Sequence, residues 1–113
     1  MTFPSNINAL IKRLNYEIDN LEHELSQSIS LIRSRINLFP ENIILIQLFA
    51  TLNNYILFAE NTKRRISEIE QFLSNEDLSD DELQEAGEDL SEQLGRVLEA
   101  KIIVNNIKER LES

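Results

Sequence analysis

The sequence predicts an all-α protein: three long antiparallel helices in an elongated up-down-up bundle with coiled-coil-like packing, pairing into a larger homo-oligomeric bundle. Three observations carry this. Ile and Leu recur at alternating spacings of three and four along most of the chain, the rhythm of a helix with one apolar stripe. Only two Gly and two Pro occur in 113 residues, against averages of roughly 7% and 5%. A chain so poor in turn formers makes few turns, and a sheet needs many. Two breaks divide the pattern, which gives segments of about 6–37, 40–74 and 79–112 in a single domain spanning 1–113.

In the first segment the stripe runs through Ile7, Ile11, Leu14, Ile18, Leu21, Leu25 and Ile32. It fails at Ser28 and Arg35, where Ile29 and Ile36 follow one place later. A straight helix drifts by about 20° per heptad, which accounts for the shift. Leu10 and Leu31 flank the stripe, and a stripe this wide suits a bundle of three or more helices. The first break is Leu38-Phe39-Pro40-Glu41. Pro suits the first turn of a helix and Glu41 favours the positive end of its dipole, so the second helix is expected to begin at Pro40. Phe3-Pro4-Ser5-Asn6-Ile7 resembles Phe39-Pro40-Glu41-Asn42-Ile43, but the likeness does not extend far enough to make a repeat.

The second segment keeps the rhythm through Leu45, Leu48, Leu52, Tyr55, Ala59, Ile66, Ile69 and Leu73, with Thr62 its polar member. After the polar link Asn75-Glu76-Asp77-Leu78 comes Ser79-Asp80-Asp81-Glu82, the pattern of a capping box. Leu83, Leu90, Val97, Val104 and Leu111 then recur every seven residues. Gly87 and Gly95 each weaken this helix by about 1 kcal/mol relative to Ala, and Gly87 could divide it in two. Helices of this length measure on the order of 50 Å. A rod exposes more surface than a ball, which favours covering one side with a second copy.

Composition narrows the function. Cys is absent, so no disulfide, thiolate metal site or thiol nucleophile can form. The opening Met1-Thr2-Phe3-Pro4-Ser5 lacks the basic start and apolar run of a secretory signal, so a cytoplasmic protein is expected. The net charge of −9 repels nucleic-acid backbones and anionic lipid. A basic protein partner is favoured and direct nucleic-acid binding is not.

Two features stand out as candidate sites. From Ile43 to Ala59 apolar side chains point in nearly every direction. Ile43, Ile46, Phe49, Ala50, Ile56 and Leu57 are the expected oligomer interface, because two neighbours cannot cover a helix that is apolar nearly all round. A membrane span is disfavoured: the run is shorter than the ~20 apolar residues required, and Asn53 and Asn54 lie at its centre. The second feature is acidic. Between Glu76 and Glu92 no Lys or Arg occurs, and Asp80, Asp81, Glu85, Glu88, Asp89 and Glu92 form the candidate docking patch. Its plain alternative is a solvated helix start, where acids interact well with the dipole.

No catalytic, cofactor or metal-binding residue is expected. His23 lies opposite the apolar stripe of its helix. The residue three before it is Asn20, so the Glu and His pairing of helical di-iron sites is missing. No carboxylate falls on the stripes, and phosphate loops and nucleophile elbows are absent. Lys63, Arg64 and Arg65 are expected to pair with Glu60, Glu68 and the acids of the third segment. In outline, three rods of this length resemble spectrin-like repeats. The aromatic hallmark of that family is missing, since the chain has no Trp, and the likeness implies architecture without a function. The expected function is a non-enzymatic adaptor or scaffold that forms a homodimer. The alternative is an acidic inhibitor or chaperone-like protein for a basic client.

Overall fold

The computed structural model describes residues 3–113, with side chains from Asn6 onward; Met1 and Thr2 lie outside the described residues. Three helices follow one another: α1 (Phe3–Leu38), α2 (Ile43–Leu73) and α3 (Asp80–Glu112). They pack into a rod of 58 × 19 × 16 Å. Its radius of gyration is 17.5 Å, where a compact chain of this length would have about 13 Å. α1 lies against both other helices, and the contact between α2 and α3 is the slimmest of the three.

The two helix starts with similar sequences differ in structure. Pro4 sits inside the first turn of α1, whereas Pro40 and Glu41 form a turn ahead of α2. Asn42 caps α2 instead, its Oδ1 accepting from the Leu45 amide at 3.1 Å. The expected start at Pro40 is therefore corrected by three residues, to Ile43: a side-chain cap satisfies an orphan amide, which a proline ring cannot do. At α3 the capping box closes as the sequence predicts. The Glu82 amide donates to Ser79 Oγ and the Ser79 amide to Glu82 Oε1, each at 3.1 Å.

The core is aliphatic. Leu14, Leu21, Ile32, Leu52, Leu90, Val97 and Val104 are fully buried. Ser28, where the stripe of α1 was expected to fail, is itself fully buried, and its hydroxyl has no hydrogen-bond partner among the described residues. α3 runs unbroken through Gly87 and Gly95, so helix geometry tolerates both without a turn. A Cβ placed on Gly95 meets nothing within 4 Å. Gly95→Ala is therefore expected to stabilise the protein by about 0.5–1 kcal/mol, measured as a raised midpoint in urea.

Candidate interaction surfaces

The outward face of α2 is the first surface. Along it Ile43, Ile46 and Leu57 are 69%, 47% and 56% exposed, and Ala50 between them is exposed as well. Their spacing of three, four and seven puts them on one stripe opposite the core. Phe49 and Ile56, expected in the same interface, lie elsewhere. Both are half-buried on the side facing α1: the Arg33 guanidinium stands 6.0 Å from the Phe49 ring centroid, and Ile56 shares a groove with Leu25 and Ile29. The reason is geometric. Leu45, Phe49, Leu52, Ile56 and Ala59 form one line at four-three spacing, and Leu48, Leu52, Tyr55, Ala59 and Thr62 form its neighbour. A helix with two partners needs both lines, and Phe49 and Ile56 belong to the first.

More apolar surface is bare at the same end of the rod. Leu38, Phe39 and Ile44, at the turn between α1 and α2, are 71%, 56% and 60% exposed. The sequence signal was available in Leu38-Phe39-Pro40, which read only as a break. α2 is also the one described helix long and apolar enough to cross a membrane by length and composition, and only 11% of its most apolar window is buried.

The second surface is the acidic start of α3, and the structure divides it. Asp80, Asp81, Glu85 and Glu88 are exposed and make no ion pair among the described residues. Asp89 is engaged by α2: Arg65 Nη2 donates to its Oδ2 at 2.7 Å and Arg65 Nε to its Oδ1 at 3.2 Å. Glu92 pairs with Arg96 one turn on, at 2.7 Å. Asp89 is thus tied to α2 and Glu92 to its own helix, while the other four acids of the patch are unpaired among the described residues. An open groove beside it is lined by Ile69, Phe72 and Ala86 with Glu82 and Glu85.

The Arg65 hydrogen bonds, with help from Gln93, hold the Asp89 carboxyl below the usual carboxylate range. A depressed folded-state pKa adds stability that is complete above the unfolded value of about 4 and lost as pH falls through the folded one. Asp89→Asn should accordingly flatten the decline in Tm below about pH 4 relative to the parent. An unchanged acid limb would show that Asp89 gains nothing from Arg65.

Other charged residues are placed as follows. Lys63 pairs with Glu22 of α1 at 3.1 Å rather than with the third segment, because it faces α1. His23 is exposed. Among the described residues no group of three His, Asp or Glu side chains comes together to hold a metal ion. One carboxylate does enter the packed region, contrary to expectation. Glu17 is 9% exposed between α1 and α3, held by Lys101 Nζ at 2.5 Å. It is a paired group, and its pattern is that of an interhelical ion pair. No known protein family, characterised protein or solved structure matches this chain.

Proposed function

We propose that this chain is a non-enzymatic protein–protein interaction module, an adaptor or scaffold of the cytoplasm. It self-associates through the first half of α2 and leaves the acidic start of α3 free for a basic protein. The observation that carries this is the outward stripe of Ile43, Ile46, Ala50 and Leu57, bare in a single chain. Isolated exposed apolar residues are ordinary, but a row of them on one helix face marks association.

A bilayer is a poorer cover for that stripe than protein. Asn53 and Asn54 interrupt it, and Glu60, Arg64 and Glu68 follow on the exposed side of α2. Lys63 and Arg65 tie the same helix to Glu22 and Asp89, so leaving the bundle for a bilayer would break both pairs.

Sedimentation over a concentration series tests the proposal. The parent chain should show a monomer–dimer equilibrium, and Ile46→Glu or Leu57→Lys should weaken it at least tenfold, since a charge would be buried without a partner. A parent chain that stays monomeric up to about 0.5 mM, well above a micromolar dissociation constant, overturns it. So does a chain that partitions onto lipid vesicles instead of dimerising.

A second reading has its own observation. Asp80, Asp81, Glu85 and Glu88 form an exposed acidic cluster with no ion pair among the described residues, which suits an acidic inhibitor or chaperone of a basic client. It predicts client binding that weakens steeply with added salt, because surface charges are screened within about 8 Å at physiological ionic strength. Salt-insensitive binding argues against it.

A further inference from the structure

Resting on the reading that the acidic start of α3 is free for a basic protein, we propose that this partner docks as a basic amphipathic helix. Its seat is the groove between the second half of α2 and the start of α3. The groove exists because α2 and α3 make the slimmest contact in the rod, while α1 lies against both. Its floor is Ile69, Phe72 and Ala86, and its walls carry Glu68 from α2 with Glu82 and Glu85 from α3. Phe72 is 40% exposed, so an apolar side chain seated here covers surface that no helix of the chain covers. Arg65 and Asp89 bridge the furrow, which continues beyond them past Thr62 and Gln93 to Phe58. From Phe58 to Phe72 is about 21 Å of helix, room for about four turns of a partner.

Charge complementarity selects the occupant. Four acids and one base line the groove beside Phe72, and the base, Arg65, is held by Asp89. Glu68 and Glu85 are exposed and make no ion pair among the described residues. The dipole of α3 accounts for the acids of its first turn, Asp80, Asp81 and Glu82, because anions are stabilised there. It does not account for Glu85, which lies beyond that turn. Nor does a dipole account for Glu68, which stands towards the negative end of α2, where an acid gains nothing. A partner with Lys or Arg on both sides of an apolar anchor neutralises the two walls while it fills the floor.

The form of the partner follows from the walls. Both are helices, so no strand edge is available for an extended peptide to pair with. A helix presents apolar side chains three and four residues apart on one face. Such a face packs into a furrow between two helices as the fourth member of a bundle. The outward stripe of Ile43, Ile46, Ala50 and Leu57 lies in the other half of α2, so docking and self-association use separate surfaces.

The probe is a synthetic peptide of Leu and Lys, about fourteen residues long to match the furrow, with Leu at helical three-four spacing. Its control is a scrambled peptide of the same composition. The ordered peptide should bind the full chain at low salt and shift the backbone amide resonances of 65–72 and 82–89. The scrambled one should bind much more weakly. Glu68→Gln combined with Glu85→Gln should weaken binding about tenfold, the loss of two exposed ion pairs. Phe72→Ala should weaken it about fivefold by removing part of the floor. All three positions are exposed, and circular dichroism of each variant verifies that the helices are intact. Equal binding of both peptides overturns the groove while leaving the acidic docking surface standing. Shifts confined to 43–57 overturn it too, since the peptide then covers the outward stripe instead. Failure of both peptides to bind at low salt removes the groove and the acidic reading together.

Discussion

Leu52→Ala is expected to destabilise the protein by about 3 kcal/mol, with a fall in Tm on the order of 10–15 °C. Leu52 is fully buried, and it is the one buried large apolar residue in the first half of α2. Around it Leu45, Leu48, Phe49, Tyr55, Ile56 and Phe58 are only half-buried. Truncation removes three heavy atoms and leaves a cavity that neighbours on a rigid helix cannot close. The loss falls on the segment that carries the outward stripe. Hydrogen exchange across 43–58 should therefore accelerate before that of α1, since the least buried segment opens first. Equilibrium unfolding in urea measures the first effect. A cost below about 1 kcal/mol, the level of an ordinary surface change, would mean that the half-buried residues hold α2 without Leu52.

The elements themselves were legible because each is written locally. Ser79 and Glu82 lie three residues apart and close a box without help from the rest of the fold. The aliphatic rhythm of α1 and α3 needs no partner to be read. The start of α2 was misplaced by three residues because Pro40 and Asn42 are competing start signals, and the side-chain acceptor of Asn42 prevails. Less legible was which side of a helix each residue would serve. Reading one stripe per helix is correct for a two-stranded coil. In a three-helix rod each helix faces two neighbours, so two lines share their central residues. That is why Phe49 and Ile56 turned to the bundle while Ile43, Ile46, Ala50 and Leu57 stayed outside. It is also why Ser28, taken as a failure of the stripe, is fully buried.

The same doubling hid Glu17, and the ion pair it makes yields the second large effect. On α1 the line Leu10, Leu14, Glu17, Leu21, Glu24, Ser28 and Leu31 faces α3, which runs parallel to it. Glu17 meets Lys101, and one heptad on Glu24 meets Lys108, at 2.5 and 3.1 Å. The first pair encloses its carboxylate more, with side-chain exposures of 12% for Glu17 and 27% for Glu24. Lys101→Met keeps the stem that covers the core and removes only the charge. It strands a carboxylate in a desolvated seam, at an expected cost of about 2–3 kcal/mol, below the 3–5 of a fully enclosed pair because some water still reaches Lys101. Adding Glu17→Leu should restore most of that loss, since an apolar pair of similar volume needs no solvation. The two-residue cycle separates the pairing from the packing. If the double variant is as unstable as Lys101→Met alone, the pair is not what fixes this seam, and the register of α1 against α3 rests on its aliphatic residues.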